Sequence, residues 1–202
     1  MQFDDAATVP YTDLEFHVPD GIYLPREDSY LLANMLKDHD LAGKSVLDIG
    51  TGCGFIAVIA ASDGADVTAT DINEKALETA KANAERNDVA IKTLKSDLFE
   101  QVDGRYDIIT FNAPYLPGSR DDAEMEELTW LGGEDGREVI DRFIDKAPAY
   151  LTEEGLFLLV QSSVSDTDAT LERLEERDMH ASIAGRKKVS WEEIVVVKAS
   201  KI

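Results

Sequence analysis

The stretch SVLDIGTGCGF, residues 45–55, decides the fold of this chain. Its first half, SVLDI, is rich in β-branched and apolar residues and predicts a short buried strand. Glycines then occupy every second position, and an apolar run from Phe55 onward predicts a helix. Glycine lets the backbone turn tightly and approach a ligand closely at the carboxyl end of a strand. The stretch therefore predicts a strand–turn–helix unit whose turn is a ligand site.

Short β-rich runs and helical patterns alternate along the rest of the chain. Strands are predicted at residues 45–49, 66–70, 89–94, 106–111, 156–160, 179–184 and 193–197. Helices are predicted at residues 27–38, 55–61, 139–147 and 168–176, and another follows Asn73 as its N-cap. This order predicts an α/β fold with a seven-stranded, mostly parallel sheet, an antiparallel last strand and helices on both faces. Residues 112–134 predict a long loop, with a short helix near Ala123, and such loops are usually functional.

Length and charge constrain the domain organisation and the surface. The 202 residues fit a single domain over residues 1–202, with residues 1–25 as a short N-terminal extension. Asp and Glu number 41 against 20 Lys and Arg, which gives a formal net charge of −21. The acidic residues are spread along the whole chain. Either this surface repels nucleic acid and anionic membranes, or it is adapted to a salty cytoplasm, and we favour the second interpretation.

Cysteine, histidine and hydropathy exclude several classes of protein. A single cysteine, Cys53, excludes a disulfide framework, and His17, His39 and His180 lack the spacing of metal ligands. No metal site is predicted. The N-terminus has no apolar segment typical of a signal peptide, and no run approaches the roughly 18 apolar residues of a membrane span. We therefore expect a cytoplasmic protein.

The glycine pattern is D-x-G-x-G-x-G, with Phe55 where a dinucleotide site would have its third glycine. It resembles motif I of the class I S-adenosylmethionine (SAM) methyltransferases. Asp48 can then hold the cationic amino group of the methionine moiety, and Gly50 and Gly52 can approach the cofactor. A glycine turn that serves packing alone is the alternative. Cys53, inside the loop, has no base placed beside it and is expected to be a small packing residue.

Two further aspartates follow the next two strands. Asp71 lies about 20 positions beyond the glycine loop, where a carboxylate accepts hydrogen bonds from both ribose hydroxyls. Its alternative role is to help cap the helix that begins at Asn73. Asp97 can accept from the adenine amino group, and Leu98 can supply a backbone contact and an apolar wall. A strand-end aspartate is common, so the prediction for Asp97 depends on the glycine loop.

The fourth strand ends in Asn112, Ala113, Pro114 and Tyr115. This tetrad resembles the N-P-P-Y motif of methyltransferases that act on planar amino or amide nitrogens. The side-chain oxygen of Asn112 and the carbonyl of Ala113 can each accept one N–H, which orients the nitrogen and disperses its developing charge. Pro114 stiffens the backbone and Tyr115 can stack on a planar group. Ala113 replaces the first proline of the motif, and the alternative is a strand-to-turn segment without chemistry.

Two more segments resemble the HemK-like protein-glutamine methyltransferases. They are YLPREDS at residues 23–29 and WLGGEDGREV at residues 130–139, and the second is typical of the short eukaryotic and archaeal branch. The resemblance implies a Rossmann-like class I methyltransferase with SAM as cofactor. It implies that Arg137 organises the substrate loop, although a plain helix start there is the alternative. It also implies SAM contacts for Ser29, Asp48, Gly50, Asp71, Asp97 and Leu98, with Asn112 placed between cofactor and substrate.

The same resemblance implies a substrate and a partner. The short branch methylates the glutamine of the Gly-Gly-Gln (GGQ) motif in class 1 release factors, and it works with a small zinc-ribbon activator protein. An edge strand, predicted between Val89 and Leu94, is the expected docking site of that activator, because its backbone is unpaired. Adenine-N6 methylation of nucleic acid, methylation of protein lysine and a noncatalytic SAM-binding subunit remain as alternatives. Nucleic acid is the less favoured substrate, because the sequence has no basic stripe.

Overall fold

The computed structural model describes residues 6–119, 121, 123–124 and 127–202. Nine strands and five α-helices alternate in this part of the chain. The strands are β1 (Ala7–Tyr11), β2 (Leu14–Val18), β3 (Ser45–Ile49), β4 (Asp66–Asp71), β5 (Lys92–Lys95), β6 (Tyr106–Asn112), β7 (Leu151–Ser162), β8 (Met179–Lys188) and β9 (Glu193–Lys201). The helices are α1 (Glu27–Lys37), α2 (Phe55–Ser62), α3 (Glu74–Arg86), α4 (Glu138–Lys146) and α5 (Thr167–Glu175).

Seven strands form one sheet in the order β5-β4-β3-β6-β7-β9-β8. Strands β3 to β7 pair in parallel, and β9 runs antiparallel to both of its neighbours. This confirms the predicted fold class. The chain order reverses between β3 and β6, so a crevice opens there at the carboxyl ends of the strands.

Helices cover both faces of this sheet. Residues of α1, α2 and α3 pack in one buried cluster, and residues of α4 and α5 pack in a second one. Val46 belongs to the first cluster and Leu47 to the second, because successive side chains of a strand point to opposite faces. The sheet is therefore buried on both sides, which explains why its central strands are almost continuously apolar.

The N-terminal segment contains a hairpin to which the sequence analysis assigned no element. Strands β1 and β2 pair antiparallel across a short turn, and Phe16 is fully buried. The ring of Phe16 lies 4.9 Å from that of Phe55 in α2. Asn83 of α3 accepts from the backbone N–H of His17 at 2.8 Å and donates to its carbonyl at 3.0 Å. The hairpin is thus fastened to α2 and α3, the two helices that pack beside the glycine loop.

Other predicted elements differ from the structure at their ends. The edge strand expected from Val89 begins only at Lys92, and Val89 and Ile91 pack against the core instead. Strands β7, β8 and β9 are longer than predicted, because pairing with neighbouring strands extends them beyond their apolar centres. The helix expected near Ala123 falls among residues that are partly outside the described ranges.

Two classes of feature are missing from the described residues. None of their helices combines the length and hydropathy needed to cross a bilayer. They also contain no group of three or more His, Cys, Asp or Glu side chains that could hold a metal ion.

Candidate active site

A cavity of about 700 Å³ opens at the carboxyl ends of the central strands. It brings together every residue that the sequence predicts for cofactor and substrate. These are Ser29, Asp48, Gly50, Gly52, Asp71, Asp97, Leu98, Asn112, Ala113, Pro114 and Tyr115. The residues come from five separate segments, so only the folded sheet assembles them.

The glycine loop follows β3 and forms the floor of this cavity. Gly50, Gly52 and Gly54 have φ values of 61°, 55° and 83°, in the left-handed region that other residues rarely adopt. A Cβ on Gly54 would lie 2.8 Å from Ala80 of α3, so this glycine also permits close helix packing. Burial raises the pKa of the Cys53 thiol to about 12, which leaves it a protonated packing residue.

Asp48 is buried at the end of β3, with 3% of its surface exposed. Its two carboxylate oxygens accept hydrogen bonds from the hydroxyls of Thr51 and Thr110, at 2.7 Å and 2.8 Å. Burial raises the pKa of Asp48 to about 6, although both threonine hydrogen bonds act in the opposite direction. A cation that entered the cavity would stabilise the ionised form of this carboxylate.

Asp71 connects the glycine loop to the following helix. Its Oδ2 accepts from the N–H of Gly52 at 2.9 Å, and its Oδ1 accepts from the N–H of Asn73 at 2.9 Å. The N-cap of α3 is Asn73, whose side chain accepts from the N–H of Lys75 at 3.0 Å. Asp71 therefore supports the helix start and lines the cavity at the same time. Burial raises its pKa.

Asp97 has a partner that the sequence analysis did not identify. Arg142 of α4 donates to its Oδ2 at 2.7 Å, and both side chains line the cavity. The pair is about two-fifths exposed. Leu98 follows with a φ of 48°, in the left-handed region, and lines the cavity. No local pattern pointed to Arg142, since it lies 45 residues away along the chain.

Asn112 carries an unsatisfied acceptor. Its side-chain Oδ1 is buried and has no hydrogen-bond partner among the described residues. Its Nδ2 lies 3.4 Å from the hydroxyl of Ser29, which fixes the orientation of the amide only weakly. A buried acceptor without a donor costs about 1–3 kcal/mol. A ligand that brings an N–H to this oxygen would recover that cost.

Asp28 joins the first helix to the tetrad and was not predicted as a site residue. Its Oδ2 accepts from the hydroxyls of Tyr23, at 2.6 Å, and Tyr115, at 3.2 Å. Its Oδ1 accepts from the hydroxyl of Ser29 at 3.1 Å. Burial, reinforced by the Asp28 carboxylate, raises the pKa of both tyrosines, so their hydroxyls stay protonated and donate. The motif YLPREDS was the available signal, but only Ser29 was selected from it.

The sequence also allows a plainer role for the YLPREDS motif, in which Ser29 or Asp28 caps the first helix. The structure contradicts this alternative, because the N-cap of α1 is Arg26, which makes no side-chain capping hydrogen bond. The carboxylate of Asp28 instead binds side chains of the cavity wall. The acidic and hydroxyl residues of this motif therefore serve the site more than the helix start.

The glycine-rich segment after the tetrad packs against the tetrad's backbone. A Cβ on Gly132 would lie 2.5 Å from the carbonyl oxygen of Pro114, and one on Gly136 would overlap the carbonyl of Tyr115. Trp130 lines the cavity, and its carbonyl accepts from the N–H of Leu116 at 2.9 Å. Because they have no side chains, Gly132 and Gly136 allow their backbone to pack directly against the backbone of Pro114 and Tyr115.

Arg137 lies outside the cavity and fastens this segment to the region before α5. Its guanidinium donates to the carbonyls of Ser165 and Asp166, at 2.5 Å and 2.6 Å. It also pairs with Asp141, one turn further along α4, at 2.7 Å. Arg137 therefore fixes the end of the glycine-rich segment from outside the cavity.

The cavity fits SAM by its shape and its polar groups. The glycine turn presents backbone without side chains, and Asp48 supplies a buried carboxylate that favours a nearby cation. Asp71, at the end of the neighbouring strand, presents a carboxylate of the kind that binds ribose hydroxyls. Asp97 and Leu98 close the remaining side.

The comparisons with known proteins agree with this geometry. The model of the methyltransferase small domain family matches residues 26–185. A putative protein N5-glutamine methyltransferase of Methanocaldococcus jannaschii is 42% identical over 88% of this chain and 91% of its own. Methyltransferase HEMK2 of Mus musculus is 33% identical over 97% and 99% of the two chains.

A solved structure is similar over nearly the same length. It is a chain from the E. cuniculi Mtq2–Trm112 complex, described as responsible for methylation of the translation termination factor eRF1. That chain is 30% identical, and the alignment covers 90% of this chain and 99% of that one, with a TM-score of 0.73. On the family match and these relatives, this chain belongs to the methyltransferase small domain family, as a HemK-like enzyme that uses S-adenosylmethionine.

Proposed function

We propose that this enzyme methylates the side-chain N5 of the GGQ glutamine in an archaeal or eukaryotic-type class 1 release factor. The observation that carries the proposal is the buried, unpartnered Oδ1 of Asn112 in the wall of the cavity. A primary amide has the N–H group that this oxygen lacks. The names of the relatives, protein N5-glutamine methyltransferase and HEMK2, support an amide substrate.

The reacting nitrogen is held by the tetrad. Asn112 Oδ1 accepts one N–H of the glutamine amide and the carbonyl of Ala113 accepts the other, so the nitrogen cannot rotate away from the cofactor. Bound SAM would supply the methyl group from its sulfonium sulfur, and breaking that S–C bond would leave neutral S-adenosylhomocysteine. As the C–N bond forms, positive charge develops on the nitrogen, and both oxygens stabilise it. The methylated amide then loses its extra proton to solvent, since a protonated amide is strongly acidic.

Tyr115 is the stacking surface for the planar amide. Its hydroxyl is held by Asp28 and its backbone by Gly136, so the ring is fixed from both ends. Ala113 stands where the motif has its first proline, and it is buried, with 3% exposed. Packing thereby restores part of the rigidity that a second proline ring would give.

The test is mass spectrometry of a release factor incubated with SAM, this enzyme and its activator. The expected product gains one methyl group on the GGQ glutamine. Asn112→Ala should lower turnover by about 100-fold, the order seen when one transition-state hydrogen-bond partner is removed, with SAM affinity nearly intact. Asn34→Ala changes an exposed asparagine on α1 and serves as the control. Wild-type turnover in Asn112→Ala would refute the assignment.

Parallel incubations separate the remaining substrates. DNA and RNA oligonucleotides containing adenine, and a protein rich in lysine, are offered with labelled SAM under the same conditions. Label on nucleic acid or on lysine, without label on the glutamine, would replace the proposed substrate. SAM binding without transfer to any of them would make the chain a noncatalytic subunit.

We also propose that a zinc-ribbon activator docks on the edge strand β5. This strand has a neighbour on one side only, so its other side offers backbone groups for strand addition. The similar chain from the Mtq2–Trm112 complex supports a small partner. Thr93→Asp, at an exposed position of β5, should abolish co-purification with the activator while Ser190→Asp keeps it. Unchanged co-purification of a folded Thr93→Asp variant would move the interface elsewhere.

The acidic surface is proposed to be an adaptation to a cytoplasm of high salt. In the described part of the chain, only two acidic side chains are buried, Asp28 and Asp48. Apart from the cavity residues Asp71, Asp97 and Glu192, most of the others lie on the outer surface, where molar salt screens their mutual repulsion within about 3 Å. The midpoint of thermal unfolding should therefore rise steeply between dilute and molar KCl. A midpoint independent of salt would contradict this explanation.

A further inference from the structure

We propose that the tip of the β8–β9 hairpin and the surface beside it dock an acidic region of the substrate protein, next to the residue that is methylated. We name this the hairpin surface, and its residues are Val164, Arg186, Lys187, Lys188 and Trp191. The inference rests on the proposed function, since it assumes a protein substrate. It adds where that protein binds outside the cavity.

The hairpin tip lies at the rim of the cavity. A tight turn closes it, with the N–H of Val189 donating to the carbonyl of Glu192 at 3.0 Å. Glu192 lines the cavity and accepts a hydrogen bond from the hydroxyl of Ser162, at the end of β7. Burial is the main cause of the raised pKa of Tyr115, and the charge of Glu192 contributes to it. The hairpin tip therefore lies beside the part of the cavity that holds Tyr115.

Exposed apolar side chains are concentrated around the same opening. The described residues include four large exposed ones, of which Ile202 is the chain terminus. Trp130 lines the cavity, and Trp191 is adjacent to Glu192 with 92% of its surface exposed. Val164, 46% exposed, lines a second, shallower cavity of about 330 Å³ beside the hairpin. Exposed tryptophan at a rim is a common anchor in protein interfaces.

Three consecutive cationic residues near the hairpin tip interrupt the acidic surface of the molecule, with Glu192 and Glu193 across the turn from them. Arg186, Lys187 and Lys188 are consecutive and exposed, in a chain with a net charge of −21. Arg186 pairs with Glu193 at 2.5 Å, whereas Lys187 and Lys188 have no ion pair among the described residues. The acidic surface of the molecule repels an acidic partner, whereas a local cationic patch attracts it. The patch thus orients an acidic partner toward the cavity.

The second cavity favours a protein over nucleic acid as the occupant. It lies between Val164, Thr167 and the strands of the hairpin, with Ile183 and Arg186 in its wall. Ile183 gives this recess an apolar wall, and the Arg186 guanidinium beside it is already paired with Glu193, so the recess suits an uncharged amino-acid side chain better than a phosphate. The hairpin surface therefore combines an aromatic anchor, a side-chain recess and a cationic patch.

The experiment compares two substrates with the complete enzyme–activator complex. One is the whole release factor, and the other is a short synthetic peptide that carries Gly-Gly-Gln. Lys187→Glu/Lys188→Glu, and separately Trp191→Ala, should raise KM for the whole release factor by about tenfold or more, the scale of an interface anchor. The value of kcat, and KM for the peptide, should stay within about twofold of wild type. The control Lys44→Glu/Lys81→Glu makes the same change in net charge away from the cavity.

Other results would overturn the docking role of the hairpin surface or assign it to a different partner. An unchanged KM for the release factor, or an equal rise of KM for the peptide or in the control, overturns the docking surface. Loss of binding to an RNA oligonucleotide, with KM for the release factor unchanged, would assign the patch to nucleic acid instead. A wild-type complex that methylates neither substrate refutes the proposed function, and this inference with it. Screening predicts a smaller effect of the lysine variant in molar salt, while the effect of Trp191→Ala persists.

Discussion

Replacing Asp48 with asparagine should stabilise the fold while weakening the binding of SAM. The carboxylate is fully buried between two threonine hydroxyls, and burial raises its pKa from 3.8 to about 6. The unfolded chain ionises this group at the lower pKa, so the folded state is penalised at neutral pH. Asparagine has nearly the same shape and carries no charge, and it removes that penalty.

The size of the effect follows from the two pKa values. A pKa raised from 3.8 to about 6 corresponds to about 3 kcal/mol against the folded state above pH 6. The asparagine amide has one acceptor oxygen in place of two, so one threonine hydrogen bond is lost, at about 1 kcal/mol. The net stabilisation is about 2 kcal/mol, or roughly 4–8 °C in Tm for a chain of this length.

The pH dependence gives the sign of the effect independently. Because the folded pKa is raised, the contribution of Asp48 favours the folded state below about pH 4 and is lost as pH rises through about 6. The advantage of Asp48→Asn should thus be largest at neutral pH and shrink toward pH 4. Affinity for SAM should fall about tenfold or more, since a charge-assisted hydrogen bond contributes about 1.5–3 kcal/mol.

Asp107, near the opposite end of the neighbouring strand, is the matched control. Its Oδ2 accepts from the N–H of Ser45 at 2.9 Å and from its hydroxyl at 2.7 Å, and these hydrogen bonds lower its pKa. Asp107→Asn should therefore destabilise the protein at neutral pH, and its effect should vanish as pH falls through the lowered pKa. SAM affinity should not change.

Thermal unfolding between pH 4 and pH 8 in molar KCl, together with calorimetric titration of SAM, measures all of these quantities. A lower Tm for Asp48→Asn than for wild type at neutral pH would refute the assignment of a buried charge penalty. An unchanged SAM affinity would show that Asp48 does not bear on the cofactor's amino group.

Three further substitutions test how the cavity wall is built. Asp28→Asn leaves one acceptor oxygen where two serve Tyr115 and its neighbours, so kcat should fall about tenfold with SAM affinity within threefold, by steady-state kinetics and calorimetry. Gly136→Ala places a methyl group against the carbonyl of Tyr115. It should destabilise the fold by about 1–3 kcal/mol, measured as a lower Tm, and should reduce turnover of the protein that remains folded as well. Arg142→Gln removes the half-exposed ion pair with Asp97 and should raise the Kd for SAM by about twofold to fivefold, with kcat unchanged. Effects of Arg142→Gln on kcat alone would contradict its place at the cofactor side.

Local patterns were sufficient for the elements that carry the site. Strand β3 and the start of α2 were predicted at their observed residues, because a β-branched run, alternating glycines and an apolar run each have a local cause. The hairpin of β1 and β2 was missed. Its strands are short and lie at the N-terminus, and its stability comes from Phe16 packing on α2 and from Asn83 of α3.

The start of the edge strand β5 is another feature that local patterns did not locate. The apolar residues Val89 and Ile91 suggested an early start, but they turn into the core before pairing begins at Lys92. Hydrophobicity marks a residue as buried and does not distinguish a strand from the coil that leads into it. Pairing with β4 decides that boundary.

The sequence by itself determined the order of the seven sheet strands and five helices, the position of the glycine turn and the residues expected at the cofactor and the amide. These depend on backbone freedom, periodicity and residue chemistry within a few positions. Only the tertiary structure decided how that site is held. Asp28 reaches Tyr115 across 87 residues, Arg142 reaches Asp97 across 45, and Gly136 meets the backbone of Tyr115. Such contacts arise because helices and loops that are distant along the chain pack together around the carboxyl ends of the strands, and no pattern of neighbouring residues records that meeting.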